Sequence, residues 1–409
     1  MSSLKKSFFL PKLNIFLYSI LLIVTPFLFL KNYLQDAIGQ FSRWSINIGF
    51  VQIPIVFTVF VLAVAILIFY YRKHITALKT TILGIVFLLW GLGQYSSDHY
   101  LDAKFYDLQN NWHYLAYGIF AFLVQQFLIS KKYSLAKNIL ITFFLALGIS
   151  TFDEIVQFFI SNRVFDISDI AKDLWGVIMG MIVFYLIINT KENKISITKI
   201  RQKELKDYLN APFSLLVLLL IFTYILLFIS SFLSDVKYAV FVVLISIGLF
   251  LLFLFIIHKT YSKKNRIIAL AVISILLLTQ ITSFIINYNK GITYNSYGLI
   301  IYKGIPIPYF DFIICENGMI KLVDKKNNFN QTDIKYLYKQ ASNILIIGSC
   351  ENENERMGFP ELLKSQFVFN HVINEAIQII ILPIDEACKT FNRLKKENKT
   401  VAFVIHNTE

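Results

Sequence analysis

Two acidic residues, Asp153 and Glu154, stand at the end of an apolar run in the segment STFDEIVQFFISNRVFDISDIAKDLWGVIMG, residues 150–180. Gln157, Arg163, Asp166, Asp169, Lys172 and Asp173 follow before the next apolar run opens at Leu174. Carboxylates at this density can move protons as general acid or base, and an arginine or histidine beside them can hold an anionic group. The same set can bind a polar ligand or a lipid head group. A carboxylate costs roughly 2.5–3.5 kcal/mol at the centre of a membrane helix on insertion scales, and less near the interface. Such a cluster is therefore expected to face a bundle interior or water and to pair with Arg163 or Lys172. Glu154 and Gln157 are i,i+3 neighbours on one helical face. Asp166, Asp169 and Asp173 recur at i, i+3 and i+7, one stripe if that segment is helical. Gly176 and Gly180 form a GxxxG pattern, which lets a span approach a neighbour closely. A solvated loop over 161–173 would account for Asp166 and Asp169, but not for Glu154 inside its apolar run.

A second polar region, SSDHYLDAKFYDLQNNWHYLAYG (96–118), carries Asp98, His99, Asp102, Lys104, Asp107, His113 and Tyr117. His113 and Tyr117 are i,i+4 on one face of the helix that follows.

The elements that must position these groups are membrane spans. Hydrophobic residues make up 56% of the 409 positions and Phe alone occurs 39 times, more apolar surface than a water-soluble core needs. Spans of about 20 apolar residues are expected near 13–30, 48–70, 79–95, 112–130, 138–160, 174–189, 212–233, 236–257 and 267–287. The first is preceded by Lys5 and Lys6 and lacks a small-residue cleavage pattern, so it reads as a retained anchor. The net charge of +13 comes from short Lys/Arg clusters between alternate spans, so it reads as topological and argues for a lipid bilayer rather than nucleic acid as partner. By that rule the N-terminus is cytoplasmic and both polar regions lie outside.

After Tyr288 the chain turns into short β-rich runs, GLIIY (298–302), DFIIC (311–315), ILIIG (344–348), IQIIILP (377–383) and TVAFVIH (400–406). Helical patterns lie at 332–341 and 385–398. The fold class is thus a polytopic α-helical membrane protein of about nine spans with a small C-terminal α/β domain. Its expected divisions are a six-span domain (1–190), a basic cytoplasmic linker (191–211), three further helices (212–289) and a water-soluble domain (290–409). An odd number of spans places that domain outside. Cys315, Cys350 and Cys388 lack metal-ligand or disulfide spacing. The loop GSCENENERMG (348–358) is acidic and has no GxGxxG or GxxxxGK, so neither metal nor cofactor is expected. Cys350 with His371 or His406 has no orienting third group at recognisable spacing, and a structural role is favoured for all three thiols.

The pattern Glu154-x-x-Gln157, Arg163, Asp166-x-x-Asp169, Gly176-x-x-x-Gly180, with His113 and Tyr117 before it, resembles the VanZ-like family of membrane proteins over about residues 10–190. Two positions depart from the family pattern: an Asp-Lys pair before the His reads Gln109-Asn110, and a usual Asn is Asp173. The resemblance implies a place in cell-envelope processes and lowered susceptibility to glycopeptides such as teicoplanin. From about 292, the C-terminal domain resembles the small α/β family that includes mitochondrial complex I assembly factor three and archaeal stand-alone proteins. Tyr297-Gly298, Ile300, Gly304, Asp311, LIIGS (345–349), Pro360-Glu361, Ala387, Phe391-Asn392-x-Leu394 and VAFVIH carry that likeness. It implies a domain that binds a protein partner, although such relatives are generally intracellular.

Three functions follow. The first is a non-enzymatic envelope protein that binds a polar ligand or head group at Glu154, Gln157, Arg163, Asp166, Asp169, Asp173, His113 and Tyr117. The second is an intramembrane enzyme acting on a lipid-linked envelope precursor, with Glu154 or Asp169 as acid/base. The third is a transporter, for which neither inverted repeats nor paired broken helices are visible.

Overall fold

The computed structural model describes residues 11–28, 44–48, 51–55, 58–59, 62, 66, 76–97, 99, 108–131, 133–159, 165–188, 204–233, 236–260, 262–323, 342–349, 365–370 and 375–407. It divides into two compact units, Met1–Asp98 with Ala103–Arg266, and His99–Asp102 with Ile267–Glu409.

The first unit is helical: α1 (Pro11–Leu28), α2 (Ala77–Ser97), α3 (Leu108–Ile129), α4 (Leu135–Phe158), α5 (Ile167–Val183), α6 (Leu205–Asn210), α7 (Pro212–Ser230) and α8 (Ala239–Lys259). Local chemistry sets the helix starts. The Ser134 hydroxyl accepts from Lys137 N at 3.3 Å ahead of α4, and Pro212 supplies the first residue of α7, where its missing N–H is not needed. α5 is the most buried helix; it packs most extensively on α3 and also on α4, α7 and α2. Its core residues Leu174, Trp175, Val177, Ile178 and Met181 are almost wholly enclosed. α8, by contrast, keeps only Val242 and Ser246 buried.

Three expectations change here. The span expected over 48–70 opens instead with an antiparallel hairpin, β1 (Ser45–Ile48) and β2 (Val51–Pro54), and most of its remainder lies outside the described residues. The β-branched Ile46, Ile48, Val51 and Ile53 favour strands, and Pro54 inside a helix would remove a hydrogen bond. The span expected at 174–189 begins seven residues earlier: α5 has 17 residues and runs on into a π-helical turn of 5, Phe184–Ile188. The last part of the expected linker forms α6, with Glu204 as its N-cap; residues 191–203 lie outside the description. Five helical stretches are long and apolar enough to cross a membrane, Asn111–Ile129, Leu135–Phe158, Pro212–Ser230, Val236–Lys259 and Lys263–Asn287, so nine spans are not reached among the described residues.

The second unit contains α9 (Lys263–Asn287) from Ile267 onward and the C-terminal domain. α7 and α8 pack within the first unit, so the helices expected as one group over 212–289 divide between the two. Six strands form one sheet in the order β7 (Ile320–Leu322), β6 (Phe312–Ile314), β11 (Val401–Ile405), β8 (Ile344–Ser349), β10 (Glu375–Pro383), β9 (Ser365–Asn370). β11, β8 and β10 run parallel, and β6 and β9 flank them antiparallel. A three-stranded meander, β3 (Ile292–Ser296), β4 (Leu299–Tyr302) and β5 (Ile305–Pro308), precedes it. Lys303 and Gly304, both at positive φ (50° and 78°), join β4 to β5 in the two-residue loop that such dihedrals suit. One helix, α10 (Ile384–Lys396), packs on β8, β10 and β11. Its acidic first turn (Asp385, Glu386) and basic last turn (Arg393, Lys395, Lys396) match the helix dipole. The helix expected at 332–341 lies outside the described residues.

Asn392 fastens this domain. Its amide accepts from Ile292 N at 2.9 Å and donates to Ile292 O at 2.7 Å, standing in for a neighbouring strand. Asn392→Ala leaves both backbone groups of the buried Ile292 unpaired, an expected loss of roughly 1–3 kcal/mol. The measurable outcome is faster hydrogen exchange and earlier proteolytic cleavage around β3 in the full-length protein, with α3–α5 unaffected.

Candidate functional site

One end of α3, α4 and α5 gathers the polar residues into a cluster. Asp173, on α5, accepts from Ser150 Oγ of α4 at 2.6 Å through Oδ2, and its Oδ1 lies 2.9 Å from His113 Nδ1 of α3. Three helices thus meet at one buried carboxylate. The other imidazole nitrogen, Nε2, faces Asp169 Oδ2 at 3.7 Å, and Asp169 Oδ1 accepts from Lys172 Nζ at 2.8 Å. His113 thus hydrogen-bonds to Asp173 through Nδ1 and faces Asp169 across an ion-pair distance with Nε2. Ser150 donates to Asp173, so the linkage is not that of a serine nucleophile whose hydroxyl is hydrogen-bonded to an imidazole base.

A second subcluster closes the end of α4. Gln157 Nε2 donates to Glu154 Oε1 at 2.9 Å, and Asp166 N donates to Glu154 Oε2 at 2.9 Å. Glu154 therefore ties α4 to the start of α5. Asp166 does not continue the stripe of Asp169 and Asp173. It is the N-cap of α5, in extended conformation, and its Oδ1 accepts from Ser168 N at 2.7 Å. Asp153 is the exception to full pairing: Oδ2 has only a long contact to Gln157 Nε2, at 3.4 Å, and Oδ1, though buried, has no hydrogen-bond partner. The buried Tyr117 hydroxyl lies beside Ser150 without a hydrogen bond of good geometry.

The close approach that brings α3 onto α5 depends on glycine. A Cβ on Gly176 would lie 2.6 Å from Tyr114 O, and a Cβ on Gly180 would strike Gly118 O. Trp175 fixes the other side of α5, donating from Nε1 to Leu89 O of α2 at 3.0 Å.

Residues 15–188 match the VanZ/LLP1 family model. The matched segment takes in the whole polar cluster and stops at the end of the π-helical turn. The likeness is to residues 15–188, and the apolar helices described above are those of a membrane protein. No curated protein matches the chain. A solved structure titled MT938 is similar to the chain at 19% identity, covering 29% of this chain and 98% of its own, with a TM-score of 0.23.

Of the residues singled out in the sequence, the VanZ-like part brings Glu154, Gln157, Asp166, Asp169, Asp173, His113 and Tyr117 to one end of three helices, whereas Arg163 lies outside the described residues. Ser150, Asp153 and Lys172 were not counted among the site residues, yet they belong to the same constellation. The helical stripe 150, 153, 154, 157 was the available signal. In the C-terminal domain, Cys315 and Cys388 are buried. Burial, with Asp385 second, pushes the Cys388 thiol up to about 12, which makes it a poor nucleophile at neutral pH. Cys350 and His371 lie outside the described residues, and His406 instead faces Asp311 Oδ2 at 3.1 Å.

Gly180→Ala places a methyl group in the α3 backbone and should cost about 1–3 kcal/mol by overpacking. Thermal denaturation in detergent should show a lowered midpoint, whereas Gly84→Ala, where a Cβ meets nothing within 4 Å, should leave it in place.

Proposed function

We propose that this VanZ-like protein binds a polar ligand or lipid head group through the cluster at the end of α3–α5, without turning it over. The observation that carries this reading is the combination of a tied scaffold with buried groups left untied. His113, Glu154, Asp169 and Asp173 all engage partners, while Asp153 Oδ1 and the Tyr117 hydroxyl do not. A buried polar atom without a partner costs about 1–3 kcal/mol, and a ligand that satisfies it recovers that energy. Lowered susceptibility to teicoplanin would then follow from ligand capture at the envelope. The C-terminal domain, whose sequence resembles the small α/β family, would recruit a protein partner.

A lipid-linked precursor could also be the substrate of an enzyme, and the free oxygen of Asp153 is the observation that favours it. The acids first suited to that role are spoken for: both oxygens of Glu154 accept hydrogen bonds, and Asp169 is paired with Lys172. Binding is therefore the better-supported reading.

The distribution of Lys and Arg supports a cytoplasmic N-terminus and an extracytoplasmic C-terminal domain. Because Cys315 and Cys388 are buried, the test needs a new thiol in a cysteine-free protein, and Tyr297, 76% exposed, is the site for it. Tyr297→Cys should react with an impermeant maleimide in intact cells; reaction only after permeabilisation would place the domain inside.

The functional test uses Asp173→Asn, which keeps shape and removes the charge beneath His113. In a susceptible host, the native protein should lower teicoplanin susceptibility, and Asp173→Asn, inserted to the same level, should not. Lipid extracts should be identical in both. Conversion of an isoprenoid-linked lipid by the purified protein would replace binding with catalysis.

A further inference from the structure

Resting on the binding reading above, we infer that the group received by the cluster is a primary ammonium, presented by an amine-bearing lipid head group and held by Asp153 and Tyr117.

Charge is the first argument. The described cluster holds five acidic side chains, Asp153, Glu154, Asp166, Asp169 and Asp173, against two basic ones, Lys172 and His113. An excess of buried acids at the end of a helix bundle favours a cationic guest, whose charge lets a carboxyl ionise, over an anionic one.

Hydrogen bonding is the second argument, and it is independent of the count. Asp153 is 7% exposed and Tyr117 3%, and they come from different helices, α4 and α3. The Tyr117 hydroxyl lies within electrostatic reach of both Asp153 and Asp173. As a carboxylate, Asp153 can only accept from a guest, and the Tyr117 oxygen can accept as well. An ammonium has three N–H donors on a compact charge, which suits acceptors on separate helices. A guanidinium would favour a carboxylate with both oxygens free, and Asp153 Oδ2 already faces Gln157. Among the described residues, no three His, Cys, Asp or Glu side chains converge as metal ligands would.

Position supplies the lipid. Asp153 lies five residues before the end of α4 at Phe158, and His113 five residues after the start of α3 at Leu108. Phe152, Ile155, Phe158 and Phe159 around Asp153 are all exposed. Exposed Phe and Ile side chains on a membrane helix face acyl chains, so a lipid lying on that face carries its head group towards the span end near which Asp153 is buried.

The experiment measures lipid binding to the purified full-length protein by native mass spectrometry, with phosphatidylethanolamine, phosphatidylcholine and phosphatidylglycerol of identical acyl chains. Phosphatidylethanolamine should bind about tenfold more tightly than the other two, as expected for one charge-assisted hydrogen bond. Phosphatidylcholine carries the charge without N–H donors, so it isolates the hydrogen bonds. Asp153→Asn should abolish the preference, and Tyr117→Phe, which keeps the ring packed, should narrow it. Free ethanolamine that competes with equal affinity would keep the ammonium chemistry but assign it to a soluble amine. Equal binding of all three lipids by the native protein would overturn the inference and leave the binding reading standing. Retention of no lipid or amine at all would overturn both.

Discussion

The arrangement of the VanZ-like part depends on one buried carboxylate. Asp173 lies on the most enclosed helix, and a polar group there is tolerable only if neighbouring helices supply partners to it. His113 does so from α3 and Ser150 from α4. Removing either donor leaves a buried, under-paired charge, which costs more than the lost hydrogen bond itself. This requirement fixes the rotation of three helices about their axes, since each must turn its polar residue to the same point.

Rotation alone is not enough, because the donors must also come within hydrogen-bonding distance. That is the task of Gly176, Gly180 and Gly118, which remove side chains where α3 and α5 cross. The glycines lie one and two helical turns beyond Asp173 on α5, so backbone contact deeper in the bundle sets the spacing of side chains nearer its end. Packing and electrostatics thus act in series along a single helix. The position of α7 against α5, with Tyr224 and Trp175 rings 5.7 Å apart, closes the opposite side and lets α5 be enclosed throughout.

Much of this was legible in the sequence, and the exceptions have definite causes. Apolar runs of helical length located α1, α2, α3, α4, α7, α8 and α9 to within a few residues, since the length and composition of such a run mark a helix. The start of α5 was misplaced because charged residues ended the apolar run at Leu174. The helix in fact continues back to Ile167, where Asp166 caps it and Asp169, Lys172 and Asp173 find partners inside the bundle. The hairpin at Ser45–Pro54 was absorbed into a hydrophobic span because strand and helix runs are alike in composition and differ only in β-branching. In the C-terminal domain the hydrophobic strands were visible, whereas β5, with two prolines, and the more polar β3, β7 and β9 were not.

The cluster shows a limit of another kind. Asp153 and Glu154 are adjacent, of the same charge, and both nine-tenths or more buried. Nothing in their types separates them, and Glu154 has the stronger sequence pattern through its i,i+3 relation to Gln157. Their roles diverge because of the next loop. It returns the backbone N–H of Asp166 to Glu154 and completes its hydrogen bonding. Asp153, one helical position or 100° away, is turned from that donor and keeps an oxygen unclaimed. A pattern of residue types identifies where acids gather, but the division of a fixed number of donors among them decides which acid holds the fold and which is left to meet a ligand. In this cluster the more conspicuous acid is the structural one.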